Sequence, residues 1–233
     1  MRVGVVGTGK MGGEIEKAAQ GRGHHVVWSL GSRENEHAQG LTPERLAQAD
    51  VVFEFTTPSS AVENLLRLAG GGARTVCGTT GWAPELPRIR AAFLSGSGAL
   101  VYASNFSIGV RNFFSTAERA ARLYGRAGYA AYLVEEHHEQ KRDAPSGTAR
   151  SLAEIVERET GRRVPVSSVR AGTIPGTHRL VFESPEDEVE LIHRARGRAG
   201  FARGALWAGE RIAGRSGVYE LGDLLAETEK EAS

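Results

Sequence analysis

Short apolar runs at 3–6, 25–30, 51–55, 75–77 and 99–103 punctuate the first hundred residues and are rich in valine, the pattern of buried strands. Between them Met11, Ile15, Ala18 and Ala19 keep helical spacing, and Thr57 before Pro58 reads as an N-cap with proline at the first helical position, opening a helix over 61–69. Strand alternating with helix predicts βαβ units and a parallel sheet. After Asn105 the rhythm changes. An amphipathic stretch over 110–124 carries Phe113, Phe114, Ala117, Ala120, Ala121 and Tyr124 on one face, followed by a strand at 130–134 and a helix over 150–159 closed by Gly161. Strands then dominate at 164–169, 180–183 and 189–193, the last two joined through Ser184-Pro185-Glu186-Asp187 as an antiparallel hairpin. This is a second domain of α+β type. Helical signals return over 205–213 and 220–227, as closing helices that pack back on the first domain, and the acidic tail 227–233 reads as frayed.

Gly7-Thr8-Gly9-Lys10-Met11-Gly12 follows the first strand and opens the first helix, the context in which a GxGxxG pattern binds a dinucleotide. Gly7 permits a tight turn, Gly9 lets a pyrophosphate approach the main chain, and Gly12 allows close helix packing. The second strand ends at Gly31-Ser32-Arg33-Glu34, with no acid directly at its end. Ser32 and Arg33 can pair with the 2′-phosphate of NADP, whereas Glu34 leaves NADH open. NADPH is the expected cofactor, with NADH possible. A solvated surface arginine would give the same local sequence.

The richest stretch is Glu135-Glu136-His137-His138-Glu139-Gln140-Lys141-Arg142-Asp143-Ala144-Pro145-Ser146-Gly147-Thr148-Ala149. It leaves a strand, passes two histidines and a lysine, and enters a helix at Gly147 and Thr148, whose free N–H groups and positive dipole end make a carboxylate receptor. His138 and Lys141 add two cation-capable groups, which suits a substrate with two carboxylates. Lys141 can also deliver a proton as a hydride arrives, with the histidines as partners. Glu136, His137, His138 and Glu139 resemble metal ligands in type. Adjacent histidines on a strand point to opposite faces, however, and no HExxH pattern is present, so no metal is expected.

Charge and composition narrow the classes. With 29 basic against 28 acidic residues the net charge is +1, so no field gathers nucleic acid or anionic lipid. Cys77 is the only cysteine, and no apolar run reaches membrane-spanning length. The chain starts at once on a strand pattern without a signal-peptide stretch, so a cytoplasmic protein is expected, with no nucleic-acid or membrane partner.

The 135–149 motif resembles the signature of 4-hydroxy-tetrahydrodipicolinate reductases, also called dihydrodipicolinate reductases. Further matches follow in the family's order: Glu54-Phe55-Thr56-x-Pro58, Gly78-Thr79-Thr80-Gly81-Trp82, Ser104-Asn105-Phe106-Ser107-Ile108-Gly109-Val110, Val169-Arg170-Ala171-Gly172-x-x-x-Gly176 and Phe201-Ala202-x-Gly204-Ala205. The family usually has arginine where Lys10 stands and aspartate where Glu54 stands. The resemblance implies an α/β chain with a Rossmann dinucleotide-binding domain from 1–105 and 206–233, and a central α+β substrate domain, 106–205, whose sheet builds a homotetramer. It implies His137 and Lys141 as the proton-transfer pair, with Lys141 the donor. His138, Lys141, Gly147 and Thr148 would hold the substrate carboxylates, with Thr80 nearby. Gly78, Thr79 and Thr80 with Ser104, Asn105 and Phe106 would border the nicotinamide, joining Gly7, Thr8, Gly9, Lys10, Met11, Gly12, Ser32 and Arg33 in the cofactor set. The implied reaction reduces a cyclic dicarboxylate, 4-hydroxy-tetrahydrodipicolinate, to tetrahydrodipicolinate with loss of water. Two alternatives stand beside it: a dehydrogenase of another small imino or amino dicarboxylate, and a non-catalytic NADP-binding redox sensor.

Overall fold

The valine-rich runs form strands that are largely buried where the sheet carries helices on both faces, the edge strand at 25–30 alone alternating between exposed and half-buried residues up to Leu30. In the computed structural model, which describes residues 1–231, these runs are β1 (Arg2–Val6), β2 (His25–Leu30), β3 (Val51–Glu54), β4 (Arg74–Cys77) and β5 (Ala99–Tyr102). The chain divides into two compact units, the first being Met1–Ser107 with the residues from Arg198 onward, the second Ile108–Gly197. In the first unit a six-stranded parallel sheet has the order β10-β5-β4-β3-β1-β2, where β10 is Gly217–Glu220. The direction of strand addition reverses between β1 and β3, so the crevice at their carboxyl ends is the natural ligand position.

Alternate residues of each strand feed two cores. Val5, Phe53 and Val101 pack with Ile15 and Ala19 of α1 (Lys10–Gly21), Ala205 and Leu206 of α7 (Ala199–Ile212), and Leu221 and Leu224 of α8 (Leu221–Glu231). Val6, Val52 and Leu100 pack on the other face with Leu65 and Leu68 of α3 (Pro58–Gly70), Ile89 and Phe93 of α4 (Leu86–Leu94), and Leu46 of the short α2 (Pro43–Leu46). Thr57 is the N-cap of α3 by backbone position, but its side chain caps nothing. Its hydroxyl instead meets those of Ser59 and Ser60 at 3.0 and 3.3 Å.

Three differences from the sequence expectation have physical causes. β10 was not foreseen: only Val218 and Tyr219 are apolar in it, and Gly217 at φ +112° makes the stretch read as a turn, yet the edge of β5 supplies the pairing. α7 begins at Ala199 rather than at 205, on residues too rich in glycine and arginine to show a helical face. The 227–233 tail, expected to fray, is helical in α8 as far as Glu231, and for 232–233 the expectation lies outside the described residues.

The second unit folds around a mixed sheet of order β7-β6-β8-β9, formed by β6 (Ala130–His137), β7 (Val166–Arg170), β8 (Thr177–Glu183) and β9 (Glu188–Arg194). β6 and β7 are parallel, so the chain must cross over between them, and α6 (Gly147–Thr160) is that crossover. α6 ends at Gly161 in the left-handed region, φ +67°. With α5 (Ile108–Arg126) it covers one sheet face, burying Phe113, Ala117, Leu152, Val156, Leu180 and Phe182. Among the described residues no helix is long and apolar enough to cross a membrane.

The fully buried Phe182 ring stacks on Tyr124 with centroids 5.0 Å apart. Phe182→Ala should cost about 3–5 kcal/mol. Leu123 of α5, 61% exposed, is the control, and Leu123→Ala should shift stability by no more than about 0.5 kcal/mol. Urea denaturation of the two variants beside the parent chain checks the contrast.

Candidate functional site

Each unit carries a junction in which a strand runs through a loop into a helix start. In the first unit β1 ends at Gly7, whose φ of +99° is open only to glycine. Its N–H donates to the Leu30 carbonyl at 2.8 Å, tying the turn to β2. A Cβ on Gly7 would lie 2.1 Å from the Phe55 carbonyl oxygen, and one on Gly12 would lie 1.9 Å from that of Gly7. Both glycines are therefore demanded by the packing of the chain on itself. Gly9 differs: nothing lies within 4 Å of where its Cβ would be, so its backbone faces open space. A cavity of about 630 Å³ opens there, lined by Gly7, Thr8, Gly9 and Ser32 with Asn35 and Thr56 among others.

Behind the lining residues Thr56 and Asn64 lies a buried polar network. Glu54, with 0% exposure, accepts hydrogen bonds from the Thr56 hydroxyl, from Asn64 Nδ2 at 3.2 Å and from Cys77 Sγ at 3.2 Å. Asn64 Oδ1 in turn accepts from Asn35 Nδ2 at 2.8 Å. Burial first, and then the Glu54 charge, raise the Cys77 thiol well above its ordinary range.

In the second unit β6 ends at His137, and the loop to α6 is pinned at several points. The N–H groups of His138 and Glu139 donate to the Ile174 and Gly172 carbonyls, at 2.8 and 3.3 Å. At the start of α6 the Ser146 hydroxyl accepts from Ala149 N at 3.2 Å as a side-chain cap. Ser146 N donates to Glu135 Oε1 at 3.3 Å. The N–H groups of Gly147 and Thr148 have no partner among the described residues. They are the free donors of a helix N-terminus. Lys141 is half-buried, and its Nζ lies 2.7 Å from Asp143 Oδ1, which lowers the Asp143 pKa.

Behind the loop Glu135 is fully buried and accepts from His137 Nδ1 and from Arg170 Nη2, the latter at 2.6 Å. Burial alone would raise its pKa. Hydrogen bonds from Arg170, Ser168 and His137 outweigh burial and hold it at about 2. The same pairing does not raise His137: burial, the larger influence, keeps it below its ordinary value despite the Glu135 charge. His178 of β8, buried beside His137 with ring centroids 5.2 Å apart, is pushed by burial to about 4. Its Nε2 lies 3.1 Å from the Ser146 hydroxyl. Glu135, His137 and His178 are close enough together to hold a cation. The Arg170 guanidinium, however, already supplies the positive charge against Glu135.

Family models of the dihydrodipicolinate reductase N-terminus and C-terminus match residues 1–106 and 109–225. The 4-hydroxy-tetrahydrodipicolinate reductase of Christiangramia forsetii is 31% identical over 97% of this chain and 98% of its own. The chain belongs to the dihydrodipicolinate reductase family. The enzyme of the same name from Methanoculleus marisnigri is 37% identical over 76% of this chain and 75% of its own. Among solved structures, the dipicolinate-bound dihydrodipicolinate reductase of Paenisporosarcina sp. TG-14 shares the fold, with a TM-score of 0.80 at 22% identity over 94% of this chain and 97% of that one.

Within this dihydrodipicolinate reductase fold, His137, His138, Lys141, Gly147 and Thr148 all lie on the single β6–α6 junction. Of the nucleotide set, Gly7, Thr8, Gly9 and Ser32 line the cavity, while Arg33 stands exposed outside its lining. Lys10 is exposed and Met11 packs on the core. Gly78 lies against Phe55, where a Cβ would sit 2.0 Å from the ring. Thr79 is buried, its hydroxyl accepting from Thr56 N at 2.8 Å, so its side chain joins two strand ends, whereas Thr80 is exposed. Ser104 is exposed, Asn105 Oδ1 accepts from Ser107 N at 2.8 Å, and Phe106 is buried against Phe55 at 6.0 Å between centroids. His178 was given no place by the sequence, and Glu135, Ser146 and Arg170 only places in motifs. The available signal was an acid at an inward position of β6, in step with Leu133 and His137.

These shifts make the second unit acid-sensitive. His178 drops from 6.5 to about 4 on folding, so as pH falls from 6.5 towards 4 the unfolded chain takes a proton that the folded chain refuses. Glu135 adds the same loss between 4.5 and about 2. The His178 contribution is on the order of 3 kcal/mol. Denaturant melts at pH 7 and pH 4 should show this loss, and His178→Gln should show a correspondingly smaller pH difference.

Proposed function

We propose that this chain catalyses the NAD(P)H-dependent reduction of 4-hydroxy-tetrahydrodipicolinate to tetrahydrodipicolinate, with loss of the hydroxyl as water, in lysine and diaminopimelate biosynthesis. The observation that carries the reading is the β6–α6 junction, where a half-buried ammonium and two unclaimed helix-start N–H groups share one short loop. The activity borne in the names of the relatives points the same way. A cyclic dicarboxylate matches that donor set: Gly147 and Thr148 take one carboxylate through backbone N–H and the Thr148 hydroxyl, and His138 and Lys141 contribute the cationic side.

The first unit fits a dinucleotide. Its Gly9 cradle is open where a Cβ would stand, and the cavity beside it runs from the β1 turn to Ser32 at the end of β2. Gly7, Thr8 and Gly9 would hold the pyrophosphate at the start of α1. When bound, the reduced nicotinamide supplies the hydride. Lys141 delivers the proton, released from Asp143 as the substrate carboxylate takes that partner's place, and His137 exchanges a proton with Lys141. NADPH is the proposed cofactor with NADH accepted. Arg33 is exposed and would meet a 2′-phosphate, and the Glu34 carboxylate reaches back to within 2.8 Å of the Gly31 Cβ position, where an acid accepts a ribose hydroxyl.

We place the enzyme in the cytoplasm as a homotetramer. The sheet face opposite α5 and α6 leaves Val169 41% and Ile192 38% exposed, an apolar surface suited to a second copy. Sedimentation of the purified chain reads the assembly.

The test is NAD(P)H consumption with substrate generated by the upstream synthase, run beside other imino and amino dicarboxylates. Turnover should be confined to the synthase product, and no turnover by folded protein would overturn the reading. Lys141→Ala should lower kcat by about 100-fold or more while leaving nucleotide affinity within about threefold. Arg33→Ala should raise the KM for NADPH by about tenfold and spare NADH, with Glu34→Ala doing the reverse.

A further inference from the structure

Glu135 touches neither of the unclaimed N–H groups of α6 nor Lys141, yet it is the most heavily bonded carboxylate of the second unit. Oε2 meets His137 Nδ1, while Oε1 accepts from Arg170 Nη2 at 2.6 Å and Ser146 N at 3.3 Å. Arg170 is clamped in turn: Nη1 donates to the Val169 carbonyl at 2.7 Å and Nη2 to that of Asp143 at 2.6 Å. With one oxygen fixed by Arg170, the other cannot rotate away from the imidazole.

We propose that Glu135 is the positioning residue of proton transfer: it fixes the His137 proton on Nδ1, leaves Nε2 as the basic nitrogen, and ties that imidazole to the first turn of α6. An ionised carboxylate can only accept, so the nitrogen facing it must carry hydrogen, and in a neutral ring the other nitrogen then keeps its lone pair. Gly176 keeps that side clear. Its φ of +143° belongs to glycine, and a Cβ there would lie 3.0 Å from His137 Nε2. Ser146 N links the same carboxylate to the carboxylate receptor, so imidazole and receptor are held by one group. The proposal rests on the reading of His137 as a proton-transfer residue.

The test measures the tautomer directly, by long-range proton–nitrogen correlation on the full chain carrying ¹⁵N-labelled histidine at pH 7. The His137 signal is assigned by its disappearance in His137→Gln. Wild type should show the Nδ1–H form. Glu135→Gln, whose amide can turn its N–H towards the ring, should shift His137 towards the Nε2–H form. Its kcat should fall by about tenfold or more with the KM for nucleotide unchanged. An Nε2–H tautomer in the wild type overturns the proposal without any variant, which keeps it testable should Glu135→Gln not fold. A folded Glu135→Gln with unaltered tautomer and kcat overturns it as well. If His137→Gln itself turns over at the wild-type rate, the underlying proton-transfer reading fails while the tautomer assignment stands or falls separately.

Discussion

A buried carboxylate is costly unless every lone pair is answered, and Glu135 is answered from three directions. Arg170 comes from β7, His137 from its own strand, and Ser146 from the start of α6. Removing any one leaves a charge or donor without compensation around a carboxylate that is itself fully buried. That constraint fixes the parallel register of β6 and β7, in which His137 faces Arg170, and anchors the loop whose ends these residues mark. The β6–α6 loop gains its shape from a charge it never exposes.

The two junctions solve one problem in different ways. Both lead from the carboxyl end of a parallel strand into a helix N-terminus, where unpaired N–H groups attract anions. At α1 the helix entry is made from glycines, and the chain closes so tightly on Gly7 and Gly12 that side chains are excluded. At α6 the helix start is capped by Ser146 and backed by Glu135, so the free donors narrow to Gly147 and Thr148. The first junction thus leaves open backbone at Gly9, whereas the second fixes its donors through side chains.

Much of this was legible before folding. Strand periods, the glycine register and the Pro-Ser-Gly-Thr helix entry are local signals, carried by residues within a few positions of each other, and they placed β1 to β5 and the loop of Lys141 closely. What escaped was non-local. Arg170 lies 35 residues from Glu135 and His178 lies 32 from Ser146, and only the β7-β6-β8 order brings them to one face. No spacing rule pairs an arginine on one strand with a glutamate on another until the register is known. The same reason hid β10, whose stability comes from the edge of β5 rather than from its own two apolar residues. The notion of adjacent histidines facing opposite ways held only in part: His137 ends β6 buried, while His138 already belongs to the loop and is half-buried.

Glu54 offers the contrast that clarifies Glu135. It is as deeply buried, yet it accepts from neutral donors, the Thr56 hydroxyl, the Asn64 amide and the Cys77 thiol. A thiol held protonated by burial and by a neighbouring carboxylate is a poor nucleophile and a poor metal ligand. The single cysteine of the chain therefore acts as a hydrogen-bond donor to Glu54, and its role is structural. Asn64 brings α3 into the same network and Asn35 extends it to the turn after β2. In the first unit a carboxylate and neutral donors make a buried network behind the cavity-lining Thr56 and Asn64. In the second, a carboxylate and an arginine fix the orientation of an imidazole.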